Sequence, residues 1–323
     1  MPNNARLLLL DRDQVASLLL PDEVLAAVHE AFVLHSQGEG RVFPLVREKL
    51  ATGGVFGIKS GDVPAQKLLG FKAAGFWPAN RTLGAEPHQA TIFLMDPVTG
   101  RPECLIDGNE VTTQRTGAAG GLAIRHLARH GCERVCVFGT GVQARVQFEF
   151  ALRLMPTLQE ARYLSSNGQA DAAFEAHFEG RCRVLHAVNA NQAVSSSDLI
   201  ITATTGKGPL FDTEAVQPGT HLNCVGTDTK GKRELPEGLL SRARVFVDDK
   251  AQSLQIGELQ WGSDTPFTEM GDLLCGKVQM QRTPEDITIF DMTGIALQDL
   301  TVARLLYQRA VATGTGSSIA WPW

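Results

Sequence analysis

The sequence predicts an α/β protein: a unit of helices and antiparallel strands joined to a doubly wound domain built on a parallel sheet. Three observations predict it. Apolar runs of strand length, separated by Gly, Pro and Asn, fill 42–96. A regular alternation of strand and helix patterns begins after Gly131. An amphipathic helical pattern over 295–313 closes the chain and is expected to pack back on the first unit.

Composition bounds the function. The 323 residues, 43% hydrophobic and 20% charged, suffice for two cores. With 30 Lys and Arg against 35 Asp and Glu, the formal charge is -5 and no basic run reaches five residues, which argues against nucleic acid or an acidic membrane as partner. A small metabolite fits better. The longest apolar stretches, such as LLLL at 7–10, are too short for a signal segment or a membrane span, so a cytoplasmic location is expected. Cys104, Cys132, Cys136, Cys182, Cys224 and Cys275 form no C-x-x-C pair and are expected to be buried and reduced. His126 and His130 stand four apart on an expected helix, but without a third ligand nearby no metal site is expected.

Taken in order, 11–20 and 21–37 read as short helices, the second opening with Pro21, Asp22 and Glu23 and stopping at Gly38. VFPLVREKL, GVFGIKS, KLLGFKAAGF and ATIFLMD read as strands of an antiparallel sheet, and DPVTGRP at 96–102 as the turn into ECLID. A helical pattern spans 110–129. Then follow RVCVFG, a helix over 142–154, EARYLSS, a helix over 169–178, CRVLHAV, a short helix, DLIITAT, THLNCVG and RVFVDD, with ITIFDMTG as the last strand. Continuous apolar runs in this order describe a parallel sheet buried on both faces, the core of a nucleotide-binding domain.

Gly139, Thr140, Gly141, Val142, Gln143 and Ala144 have the spacing G-x-G-x-x-A directly after a strand and at the start of a helix. In that context the first glycine allows a tight turn and the second a close approach of backbone to a pyrophosphate. The small third residue lets the helix lie near the sheet with its N-H groups toward the anion. At the end of the second strand, where an acid would hold the ribose hydroxyls of NAD, stand Ser165, Ser166 and Asn167. Nothing there repels a 2′-phosphate, although no cation stands there either. The expected cofactor is NAD or NADP, tilting slightly to NADP.

These features, together with PLVRE around Arg47, GFKAAGF around Lys72, HQATIFLMDPVTG, TQRTGAA around Arg115, VGTDTKGKREL and GIALQDL, make the chain resemble the ornithine cyclodeaminase/mu-crystallin family over nearly all its length. The resemblance implies a homodimer, with a substrate-binding and dimerisation domain from 1–125 and 296–323 and an inserted Rossmann dinucleotide-binding domain at 126–295. It implies that Arg47, Lys72 and Arg115 hold an α-carboxylate, Lys72 also belonging to the catalytic centre and Arg115 lying near the cofactor. An isolated cation in an apolar run is costly unless an anion meets it, which agrees; taken singly, each would read as a structural ion pair or a solvent-facing charge. Asp228, after THLNCVG at the carboxyl end of a parallel strand, resembles the family's acid/base residue; the alternative is a turn-forming Asp. Lys232, Thr91, Thr204, Val225, Gly226 and Thr293 match positions that line the cofactor.

Three departures bear on the substrate. Ser165 replaces an acid, Met292 stands where a cofactor-contacting hydroxyl is usual, and FGIKSGD puts Lys59 beside the expected substrate side chain, where it is a poor neighbour for a distal ammonium. The leading function is an NAD(P)-dependent oxidoreductase acting at the α-carbon of an amino acid or its imine. The alternatives are an ornithine cyclodeaminase, a lyase that recycles its NAD, and a non-catalytic protein that binds a small ligand with NADP.

Overall fold

LLLL is a strand. The computed structural model describes residues 5–321, and its first element is β1, Arg6–Leu10. Asp11 caps α1 (Arg12–Leu18) through a reciprocal pairing with Gln14. In α2 (Pro21–Gln37) the proline occupies the first turn, where its missing N-H costs nothing, and Gly38 ends the helix at φ 72°. Strands β2 (Arg41–Val42), β3 (Val46–Lys49), β4 (Val55–Val63), β5 (Leu68–Phe76), β6 (His88–Met95) and β7 (Pro102–Asp107) follow, then α3 (Gly108–Leu127).

The alternation comes next: β8 (Arg134–Phe138), α4 (Val142–Leu154), β9 (Glu160–Leu164), α5 (Ala172–His177), β10 (Arg183–His186), α6 (Ala190–Ser195), β11 (Leu199–Thr202), β12 (His221–Cys224) and β13 (Arg244–Val247). After α7 (Lys250–Ile256), β14 (Phe267–Glu269), α8 (Met270–Leu274) and β15 (Thr288–Asp291), the chain ends in α9 (Ala296–Thr313) and β16 (Ser317–Ala320).

The chain divides into two compact units, Met1–Arg115 with Ile295–Trp323, and Thr116–Gly294. The division falls inside α3. Residues 116–125, expected with the first unit, group with the second because the Thr116 and Gly120 carbonyls accept from Gln147 and Asn223, and Ile124 lies in a core shared with β8 and α4.

The sheet of the first unit runs β16-β1-β7-β6-β5-β4-β2, with β3 also on β4. It is mixed rather than purely antiparallel, since β1 lies parallel to β7 and antiparallel to β16. VFPLVREKL breaks into β2 and β3 around Pro44, which has no N-H for a ladder. Helix α9 covers one face. A Cβ on Gly70 would come within 2.8 Å of Leu300 Cδ2, and one on Gly61 within 3.4 Å of Leu297 Cδ2, so glycines in β4 and β5 admit the helix closely.

The second sheet is wholly parallel, in the order β10-β9-β8-β11-β12-β15-β13-β14. The order reverses between β8 and β11, the place where such folds open a crevice at their strand ends. Val135 and Val137 pack with Phe148, Phe174 and Phe178 on one face, while Cys136 and Phe138 pack with Ile200, Leu222 and Leu239 on the other. Two buried faces explain why these strands read as unbroken apolar runs.

Other expectations shift. The helix patterns over 110–129 and 169–178 are realised as 108–127 and 172–177. Because α3 stops at Leu127, His130 lies in the turn before β8 and shares no helix face with His126. The cysteines are free thiols, but only Cys104, Cys132, Cys136 and Cys224 are buried; Cys182 and Cys275 are half-buried.

Leu300 is fully buried between α9 and the first sheet. Leu300→Ala is expected to lower stability by about 2–5 kcal/mol through lost burial and the cavity left behind. Urea unfolding checks this, and a loss below about 1 kcal/mol would mean the contact relaxes.

Candidate carboxylate and nucleotide sites

In the first unit, Lys72 on β5 lies opposite Ile92 on β6 and opposite Lys59 on β4. Facing positions share a side of the sheet, and Arg47, opposite Gly57 on β3 and β4, falls on that same side. This is the face that α9 covers. The side chain of Lys72, 3% exposed, donates to Asp299 at 2.8 Å and to Thr112 at 3.2 Å. Arg115 on α3, 7% exposed, donates through Nε to the same carboxylate at 3.0 Å and through its fork to Gln298 at 3.0 Å. Asp299 stands in the first turn of α9, where the helix dipole favours an anion.

Burial pushes Lys72 down to about 7, with Arg115 and Lys59 acting the same way and Asp299 opposing them. Burial would raise Asp299, yet the two cations hold it below the ordinary carboxyl value. His88, hydrogen-bonded to Asn109, is lowered to about 4 by burial and by Lys72 and Arg115, so it is neutral at physiological pH. Thr91, by contrast, is exposed on the opposite side of the sheet from Lys72.

In the second unit, Gly139 has φ 102°, and a Cβ there would come within 2.7 Å of the Ala203 carbonyl. Only glycine fits that turn. Gly141 is the N-cap of α4, with no side chain capping the helix and open space where its Cβ would be. Val142 is exposed, Gln143 half-buried and Ala144 fully buried. Such a helix start offers N-H groups to an anion, so the residues present fit a pyrophosphate. Thr140 is hydrogen-bonded to Asp171, and its carbonyl accepts from Arg145 at 3.0 Å.

Ser165 donates to Asn167 Oδ1 at 2.9 Å and to the Gln169 carbonyl at 2.5 Å, closing the turn after β9 and leaving Ser166 and Asn167 at the surface.

The loops after β11 and β12 are tied together by Glu234, 1% exposed, which sequence reading passed over. Its carboxylate accepts from Thr202 Oγ1 at 2.7 Å, from Thr204 N and Oγ1 at 2.7 and 2.8 Å, and from Gly226 N at 2.9 Å. It fills the space a Cβ on Gly226 would need. Glu258, raised to about 7 mainly by burial, accepts in turn from Thr227 and from Glu234 N.

Val225, half-buried, continues β12 by donating to the Thr202 carbonyl at 2.8 Å. Asp228 follows with its side chain 41% exposed, 3.0 Å from Lys232, whose ammonium also donates to the Gly226 carbonyl at 2.5 Å. Trp261 and Gln260 anchor this loop by donating to the Lys232 carbonyl at 2.7 and 3.2 Å. Met292 is buried, and the Thr293 hydroxyl donates to Asp248 at 2.7 Å.

The first unit thus gathers Lys72 and Arg115 on one acid with Arg47 and Lys59 on the same face, and the second gathers the glycine turn, Thr204, Gly226, Asp228 and Lys232 at strand ends. Asp299 lies within GIALQDL and Glu234 within VGTDTKGKREL. For Asp299 the available signal was an acid inside an otherwise apolar stretch, which needs a partner, whereas Glu234 follows Lys230, Lys232 and Arg233 and carried no such signal.

Asp299→Asn would leave Lys72 and Arg115 without their anion and is expected to cost about 3–5 kcal/mol in urea unfolding. Stability within about 1 kcal/mol of the parent would show that the cations do not need it. Gly139→Ala should cost at least about 1–2 kcal/mol for its backbone alone. It should also weaken NADH binding at least tenfold by fluorescence titration; unchanged binding would remove the turn from the nucleotide site.

The model of the ornithine cyclodeaminase/mu-crystallin family matches residues 6–314. An iminosuccinate reductase of Paracoccus denitrificans (strain Pd 1222) is 32% identical, the match covering 97% of this chain and 99% of that protein. An alanine dehydrogenase of Archaeoglobus fulgidus is also 32% identical, covering 97% and 98%. The solved structure of an archaeal alanine dehydrogenase dimer with bound NAD superposes with a TM-score of 0.91 at 31% identity, covering 98% of this chain and 100% of that one.

Proposed function

Because the chain belongs to the ornithine cyclodeaminase/mu-crystallin family, we propose that it is an NAD(P)-dependent oxidoreductase acting at the α-carbon of an amino acid or its imine. One observation carries this reading: two cations, Lys72 and Arg115, are buried against a single carboxylate. A buried excess of positive charge is costly until an anion meets it. An α-carboxylate supplies that anion in bidentate form, and its arrival restores the charge that burial weakens in Lys72.

A bound nicotinamide would supply hydride exchange, the one step this chain's side chains cannot perform. The glycine turn and the uncapped start of α4 would hold the pyrophosphate, with Thr204, Val225, Gly226 and Lys232 lining the cofactor. Ser165, Ser166 and Asn167 admit the 2′-phosphate of NADP as well as NAD. Arg47, Lys72 and Arg115 orient the substrate. Asp228 takes the proton released from the substrate nitrogen on oxidation and returns it on imine reduction. Its partial exposure leaves the carboxylate accessible, beside the Lys232 ammonium at 3.0 Å.

The lyase alternative is disfavoured by Lys59, whose charge opposes the distal ammonium of ornithine. We further propose a homodimer formed through the side of the first sheet away from α9. Phe71 and Phe93 stack there at 5.3 Å, and the archaeal alanine dehydrogenase is described as a dimer. No helix among the described residues is long and apolar enough to cross a membrane, and a cytoplasmic location agrees with six free thiols.

The test is NAD(P)H oxidation at 340 nm with 2-oxo acids and ammonia, beside fluorescence titration with NADH and NADPH. Asp228→Asn should lower kcat by roughly 10²–10⁴-fold while nucleotide binding persists. A variant with parent-like kcat would remove Asp228 from proton transfer. Ornithine converted to proline and ammonia without net change at 340 nm would favour the lyase.

A further inference from the structure

The side of the sheet that carries Lys72 can be followed row by row from the strand register. One row is Lys59, Lys72, Ile92 and Ile106. The next, about 7 Å along the strands, is Arg47, Gly57, Ala74 and Ala90. The third holds Val55, Phe76 and His88. Strands β4, β5 and β6 therefore put nothing larger than a methyl group between Lys72 and His88. The leucines of α9 approach Gly61 and Gly70, on the other side of the Lys72 row, so they lie away from this floor.

His88 stands at its far end. Nδ1 lies 3.1 Å from Asn109 Oδ1 in the first turn of α3. An amide oxygen only accepts, so the ring proton is on Nδ1 and Nε2 presents a lone pair. Nε2 meets no polar partner among the described residues. Burial, and after it the charges of Lys72 and Arg115, keep the ring from taking a second proton until about pH 4, so both cations lie near enough to act on it. Arg47, Lys72 and Arg115 can only donate, whereas His88 adds a neutral acceptor to the same side. Its lone pair repels a carboxylate and calls for an N-H or O-H donor.

We propose that His88 is a specificity-determining residue whose Nε2 accepts a hydrogen bond from the amino or imino N-H of the substrate. This rests on the oxidoreductase reading, in which Lys72 and Arg115 take the α-carboxylate. With that end fixed, the α-carbon lies over the row of Gly57, Ala74 and Ala90, and its nitrogen turns to the imidazole. The oxygen of a 2-oxo acid offers only lone pairs at the same position, and these repel that of Nε2. The contact therefore selects nitrogen over a carbonyl oxygen at the α-carbon. Asn109 fixes the tautomer beforehand, so the ring meets the substrate without reordering. His88 binds and orients; it neither gives nor takes the proton.

The experiment compares the full-length protein with His88→Phe, which keeps a ring without the acceptor, and with His88→Gln, which returns an acceptor at similar reach. Calorimetric titration under saturating NAD(P)H sets 2-aminoisobutyrate against pivalate, in which a methyl group replaces the amine; neither has an α-hydrogen to lose. The amine is expected to bind roughly tenfold tighter in the parent, an advantage lost in His88→Phe and largely kept in His88→Gln. The second readout is the 15N spectrum of histidine-labelled protein, with the His88 signals identified by their absence from His88→Phe. Nε2 is expected to carry no proton at neutral pH and to shift on adding 2-aminoisobutyrate but not pivalate. An Nε2 that carries the proton, or an amine advantage that persists in His88→Phe or vanishes equally in both variants, overturns the assignment. Absent turnover with every 2-oxo acid plus ammonia would sink the oxidoreductase reading, while the Nε2 shift still decides the role of His88.

Discussion

The first unit is organised around one carboxylate. Asp299, 1% exposed, comes from the end of the chain and receives a lysine from the middle of the sheet and an arginine from α3. A buried ion pair adds little net stability over an apolar filling, whereas breaking one is expensive. Its value lies in orientation. Both cations are held by hydrogen bonds with little freedom, so a ligand anion would meet groups already in place rather than ordering them on arrival. The packing of α9 on β4, β5 and β6, with glycines in β4 and β5 admitting its leucines, is what delivers Asp299 to that spot.

The second unit uses buried acids differently. Glu234 and Glu258 accept from backbone N-H groups and threonine hydroxyls of the loops after β11 and β12, so the strand ends are braced from behind. Burial raises both carboxyls, and the donors on Glu234 resist that rise. Asp228 lies outside this buried set, half-exposed and beside an ammonium. The contrast separates acids that shape the loops from one that is accessible to exchange a proton, and it arises from burial rather than from residue type.

Charge placement gives the carboxylate face its chemical character. Arg47, Lys59 and Lys72 share one side of three adjacent strands, and opposition in register brings two lysines together.

The amino-acid order by itself determined the parallel domain, because strands buried on both faces must be continuously apolar and the glycine turn must lack side chains; α4 falls on the expected 142–154. It also marked Lys72 as a cation inside an apolar run, while Arg115 was singled out by the family resemblance. It did not reveal β1 and the edge strand β16, short strands whose pairing joins residues more than three hundred positions apart, such as Arg6 with Ala320. Nor did it reveal that Asp299 answers Lys72 across 227 positions, or that Glu234 fills the space beside Gly226. Local patterns report which residues must be buried. Which buried charge meets which partner depends on distances that exist only once the sheet has closed and α9 has packed upon it.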